Sequence, residues 1–138
     1  MNRQQQFTRN RALLLAVLLL TIGCGLSLRR FGYAADLPFT VVKYGGSILW
    51  GAMVYWLLAV TFAGVRGLRI ASAALIVAVA VEFFRLWHTP TLDAFRLTTA
   101  GALLLGRVFS LWNIVAYAAG IAAALALDRV LSRTKHVV

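Results

Sequence analysis

Charged residues are scarce in this chain, and acids are the scarcest of them. Only 13% of the 138 residues are charged, and four Asp and Glu stand against 14 Lys and Arg. A soluble domain carries about 25% charged residues, whereas 62% of this chain is hydrophobic. One soluble core of this size does not absorb so much apolar surface, so the composition indicates a protein whose solvent is lipid.

Other scarcities exclude further classes of protein. The single cysteine, Cys24, excludes an intrachain disulfide. The sequence has no nucleophile elbow, phosphate loop or zinc motif, and neither His88 nor His136 has a second histidine or a cysteine beside it. No cofactor, metal site or catalytic residue is therefore predicted, and an enzyme is the least favoured class, although the sequence does not exclude it.

The net charge of +10 does not indicate a nucleic-acid partner. A nucleic-acid binder concentrates its basic residues on one soluble face, whereas here they occupy the short gaps between apolar runs, as in membrane proteins. The four apolar runs cover residues 12–28, 46–63, 68–84 and 111–127. Each is near the length that a helix needs to cross the hydrocarbon core. The sequence predicts an all-α membrane protein, a four-transmembrane-helix bundle forming a single membrane domain over residues 1–138.

A fifth stretch, about residues 91–106, lies between the third and fourth spans. It begins after the helix-breaking Thr89–Pro90 pair and is interrupted by Asp93 and Arg96. It is too short and too polar for an ordinary span, so we expect a short interfacial or re-entrant helix. If it crossed the membrane, the C-terminus would lie outside.

Positive charge suggests the orientation. With both termini inside, the inner side holds eight basic residues (Arg3, Arg9, Arg11, Arg66, Arg69, Arg129, Arg133, Lys135) and the outer side six (Arg29, Arg30, Lys43, Arg85, Arg96, Arg107). Basic residues favour the cytoplasmic side, so we expect an inner-membrane protein with cytoplasmic N- and C-termini. The outer arginines are exceptions to this rule, and such exceptions often have another role.

Polar residues from distant parts of the chain converge on that outer end, while the inner ends carry simple basic anchors. The candidate binding residues are Arg29, Arg30, Tyr44, Trp50, Glu82, Arg85, Arg96, Arg107, Asn113 and Tyr117. The four tryptophans, Trp50, Trp56, Trp87 and Trp112, are expected to include interfacial belt residues.

Glu82 is the only carboxylate well inside an apolar run, since Asp36, Asp93 and Asp128 are expected in loops or at a helix end. An ionisable group there is costly unless it is paired or functional. We expect Glu82 to be ionised and paired with Arg85, which shares its helix face, or with Arg96 or Arg107. Two interpretations stay open: an ion pair that pins the third helix, and a functional carboxylate.

Helical spacing places Asn113, Tyr117 and Gly120 on one face of the last helix, continued by Ala124. Close helix packing with one interhelical hydrogen bond is the favoured interpretation of that face. Contact with a ligand is the alternative.

The ordered set of motifs along the chain resembles the bacterial domain of unknown function 2809 family. It comprises Gly25-x-Ser27-x-Arg29-Arg30, Leu37-Pro38, Lys43-Tyr44, Gly46, Leu49-Trp50, Met53, Tyr55, Glu82, Leu86, Arg96, Thr98-Thr99, Gly101, Leu105-Gly106, Phe109, Trp112, Ala116-Tyr117 and Gly120. The resemblance implies a small integral membrane protein without an established activity. The closing stretch is also distantly similar to VanZ-type proteins, which implies a link to the cell envelope.

The sequence departs from the family pattern at three positions. An acid commonly stands in the family where this chain has Ser47, and another where it has Asn113; a glutamine commonly stands where it has Arg85. The loss of two acids puts any acid-dependent family chemistry in doubt for this chain.

Two functions from different classes follow. The first is binding of an anionic lipid headgroup or a lipid-linked envelope precursor by arginines at the outer face. The second is a small scaffold or accessory subunit, alone or as a homo-oligomer, that packs against a larger membrane protein. A transporter is less favoured because four helices are few for a substrate path and inverted repeats are not visible.

Overall fold

The structure is a computed structural model that describes residues 11–104 and 110–134, without the side chains of residues 102–104 and 133–134. Within these residues there are six helices and no strand: α1 (Arg11–Phe31), α2 (Phe39–Thr61), α3 (Gly67–Phe84), α4 (Pro90–Arg96), α5 (Thr99–Leu104) and α6 (Leu111–Thr134). The helices α1, α2, α3 and α6 are long and apolar enough to cross a membrane. The chain is therefore an all-α, multi-pass membrane protein with a four-helix bundle, as the sequence predicts.

The closest helix contact in the bundle joins α2 and α6, which run in the same direction. A Cβ atom at Gly51 would lie 2.6 Å from the carbonyl oxygen of Tyr117, and one at Gly120 would overlap the carbonyl oxygen of Ile48. Only glycine lets two backbones approach this closely. The structure confirms the close packing that the spacing of α6 predicts around Gly120.

Helix α1 packs against α2 in the opposite direction, so that Gly25 faces Leu49 and Gly45 faces Leu28. One end of the bundle, the Glu82 end, therefore gathers the end of α1, the start of α2, the end of α3 and the start of α6. The other end, the Asp128 end, gathers their opposite termini. Most of the predicted binding residues belong to the Glu82 end.

Three helices extend well beyond the predicted apolar runs, most of all α2 at its start, although α2 ends at Thr61 rather than at residue 63. This helix begins at Phe39 rather than at residue 46. The predicted start excluded Lys43, but its ammonium lies 5.8 Å from the ring centre of Phe39 and 5.3 Å from that of Tyr44. A long alkyl stem and aromatic contacts let a lysine stay within an apolar helix. Helix α1 reaches Phe31 and α6 reaches Thr134, beyond their predicted ends at 28 and 127.

The segment between α3 and α6 is two short helices, and the prediction of one helix over 91–106 is wrong in that respect. The hydroxyl of Thr89 accepts the N–H of Leu92 at 3.2 Å and begins α4, with Pro90 in its first turn. The hydroxyl of Thr98 accepts the N–H of Gly101 at 3.0 Å and begins α5. The second cap divides the helix because a threonine side chain there replaces a backbone partner. Residues 105–106, the end of the predicted helix, lie outside the described residues.

Candidate functional site

Glu82 lies in the last turn of α3 and is fully buried, with 0% of its surface exposed. Its Oε1 accepts the backbone N–H of Ser110 at 2.6 Å and the amide N–H of Asn113 at 3.2 Å. Its Oε2 accepts the hydroxyl of Tyr117 at 2.9 Å and pairs with Nη1 of Arg85 at 2.9 Å. The predicted pairing of Glu82 with at least one of three arginines is confirmed for Arg85, whereas the predicted partner Arg107 lies outside the described residues.

Four donors use the acceptor capacity of this carboxylate, which has about four lone-pair sites. The donors come from the residue that follows α3, from the residue that precedes α6 and from the first two turns of α6. Because Ser110 donates through its backbone, the carboxylate also fixes the path by which the chain re-enters the bundle. The geometry therefore favours the structural interpretation of Glu82, in which the carboxylate joins the end of α3 to the start of α6.

Tyr117 connects the Glu82 cluster, which comprises Glu82, Arg85, Asn113 and Tyr117, to α2. Its ring centre lies 5.9 Å from the guanidinium carbon of Arg85 on one side and 4.8 Å from the ring centre of Trp50 on the other, tilted by 47°. Tyr117 and Trp50 are both buried. Aromatic pairs at this separation are attractive beyond their buried area, so the Glu82 cluster helps to hold the indole of Trp50 in place.

Ser47 and Asn113, the two positions where the family resemblance implies acids, meet in the structure. The Ser47 hydroxyl lies 3.4 Å from Oδ1 of Asn113 and 3.1 Å from the carbonyl oxygen of Lys43. Asn113 in turn donates to Glu82. At the three positions where the family resemblance implies acids, this chain thus has one carboxylate, Glu82, and two neutral side chains, and Asn113 contacts both of the others.

Arg96 does not pair with Glu82, although it was a predicted partner. Its guanidinium, 3% exposed, donates to the carbonyl oxygens of Phe84 at 2.9 Å and Trp87 at 2.7 Å. These carbonyls belong to the C-terminal end of α3 and the turn after it, where helical partners run out. Arg96 therefore docks α4 against the end of α3, and it pairs with Asp93 at 3.1 Å.

Asp93 accepts from two basic side chains at the surface. Its Oδ1 lies 3.1 Å from Nδ1 of His88 and 3.1 Å from Nη1 of Arg96. The hydrogen bond from His88, aided by that from Arg96, holds the pKa of the Asp93 carboxyl below its usual range. His88, for which the sequence offers no metal-binding neighbour, is thus a partner of Asp93.

A small crevice of about 20 Å³ opens between α1 and α2, lined in part by Gly25 and Arg29 from α1 and by Gly46, Trp50 and Met53 from α2. This volume is enough for one water-sized group. Trp50 is 8% exposed, and its indole N–H is buried without a hydrogen-bond acceptor among the described residues. A buried donor without an acceptor is costly, so the crevice has both room and a reason to receive an acceptor atom.

The remaining predicted binding residues are dispersed. Arg30 is exposed in the last turn of α1, and Tyr44 is half-buried beside Lys43 in α2. Arg107 lies outside the described residues. The ten predicted residues thus include one tight cluster (Glu82, Arg85, Asn113, Tyr117 and the adjoining Trp50), one crevice residue next to it (Arg29) and one separate capping residue (Arg96).

The sequence match decides the family. The model of a family described as "Protein of unknown function (DUF2809)" matches residues 36–121. This range covers more than half of the chain. The protein belongs to the DUF2809 family. No solved structure matches the chain.

The DUF2809 match runs from the turn before α2 to the middle of α6. It contains the whole Glu82 cluster and Trp50. Helix α1, which supplies Arg29 to the crevice, precedes the matched range. Asp128, at the far end of α6, follows it.

Asp128 is a second buried carboxylate, which the sequence interpretation missed. It was expected in a loop or at a helix end, but α6 continues past it and the residue is 3% exposed. The hydroxyl of Tyr55, itself fully buried in α2, donates to Oδ2 of Asp128. Spacing could have found it, because Tyr117, Ala124 and Asp128 are seven and four residues apart and so share a helix face.

Within residues 11–104 and 110–134, no three His, Cys, Asp or Glu side chains come together as they would around a metal ion. The Glu82 carboxylate is enclosed by donors, and Asp128 lies at the opposite end. The described part of the Glu82 end thus has exposed basic groups, Arg29 and Arg30, and one indole N–H, that of Trp50, that is buried without an acceptor among the described residues.

Proposed function

We propose that this DUF2809 protein lies in the inner membrane of a bacterium with both termini in the cytoplasm, and that it binds anionic lipid headgroups of the cell envelope at the outer, Glu82 end. The headgroup site is the corner where α1 meets α2. It uses Arg29, Arg30 and Lys43.

The observation that carries this proposal is an imbalance of charge at the Glu82 end. Residues 29–43 hold three basic side chains against one acid, Asp36. On the other side of the same end, Arg85 pairs with Glu82 and Arg96 pairs with Asp93. Anionic headgroups gather at basic groups near the membrane surface, and an arginine can hold a phosphate through two N–H donors.

The test compares charge removal at the two ends of the bundle. The variant Arg29→Ala/Arg30→Ala is matched with Arg66→Ala/Arg69→Ala, in which the same charge is lost at the Asp128 end. Native mass spectrometry from mild detergent then measures bound phosphatidylglycerol against phosphatidylcholine. We expect the first variant to lose the anionic lipid and the second to keep it. Equal loss in both would mean that the lipid only surrounds the bundle, which would overturn the proposal.

Orientation is tested separately with fused reporters. We expect a reporter after Val138 to read cytoplasmic and one inserted near Asp36 to read periplasmic, because four spans return the chain to its starting side. A periplasmic C-terminus would contradict the proposed orientation.

A second candidate function, a scaffold for another membrane protein, is favoured by the exposed face of α6. Small side chains are exposed there along three turns (Ala118, Ala119, Ala122, Ala123 and Ala126). Such faces allow another helix to approach closely in lipid. Cross-linking from Ala122→Cys in native membranes tests it, with the exposed Cys24 of α1 replaced by serine. One stoichiometric partner would support the scaffold, and cross-links to none would oppose it.

A further inference from the structure

Trp50 and Arg29 line the same crevice, and the indole N–H of Trp50 is buried without an acceptor among the described residues. Together the two side chains specify an acceptor atom of the ligand in addition to its charge. Arg29 is in the last turn of α1 and lies beside Gly46, where an added Cβ would be 3.9 Å from Nε of Arg29. Trp50 follows Gly46 by four residues on α2. Trp50 therefore lies about one helical turn, about 6 Å along the axis of α2, from Gly46 and the adjacent Arg29.

We propose that the crevice binds an anionic glycerophospholipid with its phosphate at Arg29 and an ester carbonyl oxygen at the N–H of Trp50. This inference rests on the proposed function, because it specifies the lipid at the same corner. Its central observation is a buried donor that finds no acceptor in the part of the chain that the structure describes, on a residue that lines a crevice large enough for one water-sized group.

Charge and chemistry select this class of ligand. The exposed arginine can bind an anion, and the buried indole N–H is a donor only, so it is satisfied by a second acceptor deeper in the membrane. A diacyl glycerophospholipid carries both, since its ester carbonyls lie a few bonds below its phosphate. A lipid phosphate on an isoprenoid chain has the anion but no carbonyl at that depth, and a zwitterionic lipid lacks the net negative charge.

The glycines of the crevice leave room for the lipid. An alanine methyl at Gly46 would meet protein atoms only at ordinary contact distance, so Gly46→Ala should fold and should partly fill the crevice. The matched control is Gly23→Ala, also within a transmembrane helix, where an added Cβ would have no neighbour within 4 Å.

The first experiment changes the lipid and leaves the protein intact. Native mass spectrometry measures competition between dioleoyl phosphatidylglycerol and its dialkyl ether analogue, which has the same headgroup but no ester carbonyl. We expect the ester lipid to bind about three- to tenfold more tightly, the ratio that one hydrogen bond supplies. Equal binding of the two would overturn the inference and leave anion binding standing. Equal binding of both and of phosphatidylcholine would overturn the proposed function itself.

The second experiment assigns the preference to residues. Trp50→Phe should abolish the ester preference while the preference for phosphatidylglycerol over phosphatidylcholine remains. Trp56→Phe, an equally buried tryptophan that does not line the crevice, should keep both. Arg29→Ala should weaken binding of both anionic lipids about tenfold, and Gly46→Ala should weaken the ester lipid more than Gly23→Ala does. An ester preference that survives Trp50→Phe would contradict the assignment.

Discussion

The two sides of the Glu82 end carry the same kind of residue in different surroundings. On the α3–α4 side, Arg85 and Arg96 are buried, at 8% and 3% exposure, and each pairs with an acid. On the α1 side, Arg29 and Arg30 are exposed. A buried arginine must be compensated within the protein, whereas an exposed one can meet a ligand. The first pair of arginines therefore builds the fold, and the second pair is the better candidate for function.

The largest expected effect is on the α3–α4 side. Glu82→Gln leaves the buried Arg85 without its counter-charge, so we expect the free energy of unfolding to fall by about 3–5 kcal/mol. Titration with sodium dodecyl sulfate in mixed micelles measures it. If the pair acts as one unit, Glu82→Gln/Arg85→Met should cost less than the sum of the single changes. Additive costs, or a cost for Glu82→Gln no larger than that of Asp36→Asn, at an exposed acid in the turn after α1, would contradict the buried pair.

The next largest expected effect is the loss of stability caused by Gly120→Leu. The new side chain would collide with the backbone of α2 at Ile48, so the helices must separate, at a cost of about 1–3 kcal/mol or more. The control, Ala126→Leu, adds the same side chain on the exposed face of α6 and should cost little. Thermal unfolding in detergent compares the two variants, and equal melting temperatures would oppose the close α2–α6 contact.

A smaller fall in the free energy of unfolding is expected from a change at the Asp128 end. Tyr55→Phe removes the hydroxyl that donates to Asp128, and loss of a donor to a buried carboxylate costs about 1–3 kcal/mol. Tyr33→Phe, at an exposed tyrosine in the turn after α1, serves as the control. Equal unfolding free energies for these two variants would mean that the Tyr55–Asp128 contact does not stabilise the bundle.

The sequence predicted those contacts correctly that follow from one residue and its spacing from another along the same helix. Glu82 stands alone in an apolar run with Arg85 three residues on, and Gly120 shares a face with Tyr117; the structure confirms both relations. It failed where the partner is a backbone group or a distant helix. Arg96 binds carbonyl oxygens, which no side-chain pattern reveals, and Asp128 is buried by Tyr55 from another helix.

The crevice could not be predicted as a unit for a related reason. Arg29 and Trp50 were both candidates, but nothing in their spacing indicates that α1 and α2 leave a gap between them. Both Gly25 of α1, which faces Leu49, and Gly46 of α2, which lies beside Arg29, line that gap. The split between α4 and α5 likewise depends on one hydroxyl, that of the exposed Thr98, which accepts the N–H of Gly101.

The smallest expected effect concerns the surface contact of Asp93. Because its pKa is lowered in the folded protein, the ionised carboxyl favours folding at neutral pH, and this contribution is lost as the pH falls through the lowered value, below about pH 4. Asp93→Asn should therefore lower the melting temperature slightly at neutral pH and not at about pH 3. A difference between variant and wild type that grows in acid would contradict the contact.

The most direct measurement sets the two sides of the Glu82 end against each other in one assay. Native mass spectrometry would compare bound phosphatidylglycerol in the folded fractions of the wild type, Glu82→Gln and Arg29→Ala. The account predicts that Glu82→Gln is less stable but keeps the lipid in its folded fraction, and that Arg29→Ala is as stable as the wild type and loses the lipid. Lipid loss in folded Glu82→Gln together with full retention in Arg29→Ala would contradict it, and would move the binding site from the α1–α2 corner to the Glu82 cluster.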